Sequence, residues 1–243
     1  MQTLFLSIHT KMQKLFFQLI QVSIGQLDCL DRGPSPEEWH MLYDLSKKHG
    51  LVTTCYDGVV RLFDFGLRAP QDLSIDWMAE TETESEQPGA VALVISNTLR
   101  RMLFDRWVAR NGTSLYQRKS QPQQYTPGAG LIVRLLQAFE DFHQGTLTLN
   151  TVVDCCLLLR EMDGKMPTFR DGSTIPQMLQ TFGIWRFSQA IMWVTGEVTR
   201  LDERLMPCKA SASGGRFVLD ILMAEKVSLI TRVKNRLLTM VRF

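Results

Sequence analysis

The side chains of this chain best suited to chemistry are carboxylates, and three of them stand in apolar helical surroundings. Asp154 interrupts the run "TVVDCCLLLREM", while Glu140 and Asp141 adjoin near the end of "GLIVRLLQAFEDFH". Two carboxylates brought together could hold Mg²⁺ against phosphate oxygens, because hard divalent cations take oxygen ligands and bridge attacking and leaving groups. Such sites usually draw on an Asp-x-Asp pair fixed on a strand, and no such pair occurs. A carboxylate inside an apolar run needs a partner, so Asp154 is read first as half of an ion pair or as a helix-cap contact. Phosphate loops of the Gly-x-x-x-x-Gly-Lys-Ser/Thr form, Gly-x-Gly-x-x-Gly turns, His-Glu-x-x-His helices and Gly-x-Ser-x-Gly elbows are also absent. No catalytic or cofactor-binding residue is assigned, and no metal ligand set is expected.

Other reactive side chains are scattered. His9, His40, His49 and His143 lie far apart, each at or near a helical surface or end, which predicts surface or capping roles. Asp28 and Asp31 resemble a carboxylate pair but sit in the turn before Gly33-Pro34, where Asp commonly serves turn geometry. The cysteines Cys29, Cys55, Cys155, Cys156 and Cys208 are odd in number, and the vicinal pair suits neither a routine disulfide nor tetrahedral zinc. The apolar residues around Cys155-Cys156 would raise their thiol pKa values and favour core packing. A reducing, cytoplasmic setting fits this usage.

These groups must be positioned by 243 residues, 45% hydrophobic and 21% charged, a composition that supports a buried core in one domain or two small ones. The net charge of +2 supplies no excess of cations to neutralise phosphates, so nucleic acid is not an expected partner. Lys11 and Lys14 break the N-terminal apolar run, which speaks against an export signal. No stretch of about eighteen uncharged apolar residues suggests a membrane span.

The patterning is that of successive helices. Leu15, Phe16, Leu19, Ile20 and Ser23 share one face of a segment over 12–24 closed by Gly25. Ser35 as N-cap, Pro36 at the first position and Glu37-Glu38 at the positive end predict the next helix, with Trp39, Leu42, Tyr43 and Leu45 buried and Gly50 at its close. A short helix or turn over "LVTTCYDGVVRLF" and a helix from Pro70 follow, the latter ending in an acidic run before Pro88-Gly89. Helix is expected to resume near Ala90, burying Val91, Val94, Ile95, Thr98, Met102 and Trp107 and leaving Arg100, Arg101 and Arg106 in solvent. Residues 130–143 and 147–162 read as a helix pair about Gly145. Two Asp-Gly steps follow, then a helix from Pro176 and another over 184–201. The last segment shows Lys226, Arg232, Lys234, Arg236 and Arg242 opposite Ile230, Val233, Leu237 and Val241. The expected fold is mainly α, a multi-helix bundle with at most a small strand or hairpin near 113–118 and 164–174.

Several of these segments, in order, resemble a family of uncharacterised bacterial nucleotidyltransferase-like proteins. They are "KLFFQLIQVSIG", "SPEEWHMLYDLSKKHGLV" with "YDGVVRL", "TVVDCCLLLREMD", "TIPQMLQTFGIWRFSQAIMWV" and "GGRFVLDIL". The resemblance implies a small mixed sheet carrying a Leu-Leu-Lys-Gly strand and then an Asp-x-Asp strand. Here "NGTSLYQRKS" stands at the first, with Lys119-Ser120 in place of Lys-Gly, and "QPQQYTPGAG" leads directly into the following helix. The Asp-x-Asp segment has no counterpart, so the family's Mg²⁺-dependent nucleotide transfer is not carried onto any residue.

The resulting expectation is an N-terminal helical region over 1–110, a connector over 111–130 where the catalytic core is deleted, and a C-terminal helical region over 131–243, or else one domain over 1–243. Such a chain would be a catalytically degenerate binding or regulatory scaffold that binds a protein partner or retains an acceptor-binding surface. Mg²⁺ and a nucleoside triphosphate would be bound only if the family activity survived, with Asp154, Asp141 or Glu140 as displaced ligands. The basic C-terminal helix admits a third reading, contact with an anionic membrane surface.

Overall fold

The computed structural model describes residues 2–86, 93–117 and 124–224. Among them ten α-helices occur and no strand, as expected of a mainly α fold. The chain divides into two compact units: one comprises 1–91 with 148–150 and 198–200, the other 92–147, 151–197 and 201–243. The stretch 111–130 falls wholly within the second.

The first unit is built on α1 (Gln2–Ser23), α2 (Pro36–Lys48), α3 (Val52–Leu62) and α4 (Gln71–Glu86). The apolar face of α1 is buried at Leu15, Phe16, Leu19 and Ile20, and Gly25 follows it at φ 71°, a conformation that favours glycine. A capping box opens α2: Glu38 N donates to Ser35 Oγ at 3.3 Å, and Ser35 N to Glu38 Oε2 at 2.8 Å. This helix buries Trp39, Leu42 and Ser46, whereas Tyr43 and Leu45, expected on the same stripe, are only half-buried. Its inward direction is centred on 39, 42 and 46, so Tyr43 and Leu45 fall at the margins. Against α1, α3 approaches closely at Gly58, where a Cβ would strike Ser23 Oγ and lie 3.0 Å from Leu19 O. Cys55, Val59 and Leu62 fill that contact, each such side chain contributing roughly 1.5–3 kcal/mol by leaving water. The indole of Trp77 holds α4 in place, its Nε1 donating to Val52 O at 3.1 Å from a fully buried position.

The second unit contains α5 (Thr98–Asn111), α6 (Pro127–Gln144), α8 (Ile175–Thr181), α10 (Ala212–Met223) and most of α7 (Leu149–Met162) and α9 (Trp185–Thr199). Among the described residues after 86, helix begins at Thr98, because Asn97 accepts a cap hydrogen bond from Arg100 N at 3.0 Å, and residues 93–97 are irregular. Ala90 and Val91 lie outside the described residues. Val94 lies before the helix, and within it Thr98 and Met102 stand on roughly the opposite side from Trp107 at 3.6 residues per turn: Ile95 and Trp107 are buried, but Val94 and Met102 are 60% and 56% exposed, and Thr98 is exposed too.

In place of a strand near 113–118, a single antiparallel bridge joins Tyr116 to Tyr125, their rings stacked 5.0 Å apart, and Thr126 N donates to Leu115 O at 2.7 Å. The stretch between them, which includes Lys119 and Ser120, lies outside the described residues. Pro127 then starts α6 three residues before the expected 130, and Gly128 lies so close to Pro167 that a Cβ would not fit. Over 164–174 the hairpin reduces to one Thr168–Thr174 bridge. On α10, Leu219 and Leu222 are buried, and the basic continuation with Ile230, Val233, Leu237 and Val241 lies outside the described residues.

Candidate functional site: buried carboxylates and an acidic helix face

Each of the three candidate carboxylates is committed to a partner close at hand. Glu140 is 1% exposed and accepts on both oxygens. Arg100 Nη1 lies 2.9 Å from Oε1, while Ser96 N donates to Oε2 at 3.2 Å and Ser96 Oγ donates to the same atom. The guanidinium of Arg100 is fixed on two further sides, by a 2.9 Å bond from Nε to Phe182 O and by the Phe139 ring with its centroid 4.4 Å away. Arg100 was expected in solvent; the cap at Asn97 turns it inward to Glu140.

Asp141 accepts from Gln137 Nε2 at 2.7 Å, and Asp154 is paired with Arg134 Nη2 at 2.5 Å. Burial raises both carboxyls above their ordinary range, opposed by Gln137 and Arg134 at Asp141 and by Arg134 at Asp154. Arg134 thus supplies to both carboxylates the positive charge that a metal ion would otherwise provide. The ion-pair reading of Asp154 agrees with this geometry. Among the described residues no group of three or more His, Cys, Asp and Glu is gathered for a metal ion.

The histidines are dispersed as their spacing implied, with one exception to their expected exposure. His40 is exposed and bonds Pro36 O through Nδ1 at 2.8 Å, and His143 meets the Phe139 ring edge-on. The side chain of His9 lies outside those described. His49 ends α2 but is 2% exposed, stacked on Phe16 at 5.9 Å, and its Nε2 has no hydrogen-bond partner. Burial, with Lys48 nearby, pushes its pKa down to about 4. The fold turns back at Gly50 and brings this helix end into the core. Cys155 and Cys156 are fully buried, and burial drives the Cys155 thiol upward. Asp31 pairs with Lys14 at 2.7 Å instead of meeting Asp28 as a metal pair.

A groove of about 670 Å³ in the first unit is lined by Lys14, Asp31, Arg32 and Glu38, among others. Its charges are largely balanced locally, by the Lys14–Asp31 pair and by Arg32 Nη2 at 2.5 Å from Glu38 Oε1. The Arg32 hydrogen bond holds the Glu38 carboxyl down at about 2, against the effect of burial.

More distinctive is the outer face of α4. With Leu73 and Trp77 buried, Ile75 and Met78 are left 55% and 47% exposed one turn apart. Asp72, Asp76 and Glu80, at intervals of four, are exposed beside them. Among the described residues no cation pairs with Asp72 or Asp76. Burial raises the pKa of Tyr43, and Glu80, Asp76 and Asp44 add to the rise, so the acidic field extends to that ring. The sequence showed the acids but gave no means of seeing which apolar residues they flank, because that depends on the rotation fixed by Trp77.

Among the described residues no helix is long and apolar enough to cross a membrane. Comparison of the chain with protein-family models, with curated proteins and with solved structures gives no match.

Proposed function

We propose that this chain is a helical binding scaffold, a degenerate relative of nucleotidyltransferase-like proteins that docks a protein partner on the exposed face of α4. The observation that carries the reading is the placement of Ile75 and Met78 in water beside the acidic row Asp72, Asp76 and Glu80, on a helix anchored from behind by Trp77. An apolar stripe edged by one sign of charge suits an amphipathic helix of the opposite sign, with apolar anchors giving affinity and charge giving orientation and encounter rate. The partner is therefore a basic amphipathic helix. Local pairing of Glu140, Asp141 and Asp154 supports a structural role for these carboxylates over a metal-bridging one. The five cysteines stand outside any disulfide and four of them are buried, which agrees with a reducing cytoplasmic setting.

The test is titration of the intact protein with a synthetic amphipathic Lys/Leu helical peptide and with a scrambled peptide of the same charge. Saturable binding that prefers the amphipathic order and weakens about tenfold in Ile75→Ser/Met78→Ser is expected. Equal binding of the two peptides, or no effect of the double substitution, would contradict the reading.

A further inference from the structure

A cavity of about 340 Å³ in the second unit is formed where α5 faces the 171–173 turn and α8. One wall carries Arg106 and Arg110, four residues apart and so on one side of α5. Among the described residues neither makes an ion pair, although Arg110 contributes to the field at Asp171. Between them in sequence stands Trp107, which lines the cavity, is 2% exposed, and has an indole Nε1 without a hydrogen-bond partner. An orphaned buried donor costs roughly 1–3 kcal/mol, so an acceptor supplied from outside would relieve it.

The opposite wall carries Gln177, an exposed side chain whose Oε1 accepts from Thr174 N at 2.9 Å and from Thr174 Oγ1 at 3.1 Å. The lone acid of the cavity, Asp171, is already engaged by Ser173 Oγ at 2.6 Å and Ser173 N at 3.1 Å. Burial works to raise its carboxyl, but the Ser173 and Asn111 hydrogen bonds and Arg110 outweigh burial and hold it ionised below its ordinary range. Leu103 and Met178 complete an apolar portion beside the indole.

We infer that this cavity binds a small organic anion, its carboxylate or phosphate held by Arg106 and Arg110 and its apolar body resting against Trp107, Leu103 and Met178. Guanidinium groups match both oxyanions in bidentate geometry, and small-ligand sites combine apolar walls with a few placed polar groups. The site is independent of the α4 face, so failure of either proposal leaves the other standing.

The test is calorimetric titration of the intact protein, at constant ionic strength, with phenyl phosphate and with phenylacetate; inorganic phosphate and acetate serve as head-group controls. Saturable one-site binding by at least one phenyl compound is expected, the tighter of the two identifying the head group, with the matching control at least several-fold weaker. Arg106→Gln and Arg110→Gln should each weaken it about tenfold, while Arg101→Gln, a surface charge on the same helix outside the cavity, should leave it unchanged. Trp107→Phe, which keeps a ring and removes the N–H, should weaken binding in a folded protein. The inference is overturned if neither phenyl compound saturates, if the head-group controls bind as well, or if Arg101→Gln weakens binding as much as Arg106→Gln. The arginine variants change exposed side chains, so they decide the matter even where Trp107→Phe fails to fold.

Discussion

On α4, Asp72 and Asp76 stand in water beside exposed Ile75 and Met78; on α6, Glu140 is 1% exposed, with Arg100 on one oxygen and Ser96 on the other. The same class of side chain does different work in the two places. A buried carboxylate loses its hydration and must recover it from fixed partners, so Glu140 ties 96, 100 and 140 into one arrangement. Exposed carboxylates keep their hydration and contribute little to the fold, which leaves their field available to another molecule. The contrast makes Glu140 part of the architecture, and it is the ground on which partner recognition is proposed for the acids of α4.

The largest effect expected is at the buried pair. Glu140→Ala strands the Arg100 guanidinium, 14% exposed, and should cost about 3–5 kcal/mol in urea unfolding. A loss below about 1 kcal/mol would break the contrast, because Glu140 would then be spare to the fold.

Next in size is a pH effect from the first unit. The pKa of His49 is about 4 in the folded chain against an ordinary 6.5, so the unfolded state binds the extra proton between those values. Stability is therefore full above about pH 6.5, falls as pH drops toward 4 and levels off below, the total for this group being about 3 kcal/mol. His49→Phe should remove that part of the pH dependence. A wild-type stability profile flat from pH 7 to 4.5 would contradict the burial of the ring.

A smaller loss is expected at the less deeply buried pair. Arg134 and Asp154 are 33% and 26% exposed, so Asp154→Asn should cost at most about 1 kcal/mol, well under Glu140→Ala. Equal losses at the two sites would erase the distinction drawn from burial.

Smallest of all is the effect on folding at α4. Asp72→Asn/Asp76→Asn should change stability by no more than about 0.5 kcal/mol while weakening, and reducing the salt dependence of, basic-peptide binding. A large stability loss there would make α4 a structural element like α6.

How much of this was readable beforehand follows from the range of the forces involved. Ser35, Pro36, Gly25 and Gly145 act within a turn of their own position, and the helix ends they predict are present. The mainly α class and the inward faces of Cys155 and Cys156 follow from periodicity and hydrophobicity in the same local way. Arg100 was misread because its environment is set by Glu140, forty positions later, and by a cap at Asn97 that delays the helix. His49 was misread because exposure at a helix end depends on where the chain goes next. The exposed stripe on α4 was hidden for a related reason: Ile75, Met78, Leu73 and Trp77 are all apolar, and only the Trp77 hydrogen bond to Val52 O settles which pair faces inward. The spacing of Arg106, Trp107 and Arg110 was visible, but the acceptor-poor cavity beside them required the 171–173 turn to be in place.

The central claim, that these carboxylates build a scaffold instead of holding catalytic metal, is tested most directly by calorimetric titration of the intact chain with ATP, CTP, GTP and UTP, each with and without Mg²⁺. The account predicts Mg²⁺-dependent binding no tighter than about 1 mM for every nucleotide. Micromolar, Mg²⁺-dependent binding that is lost in Asp154→Asn or Asp141→Asn would contradict it.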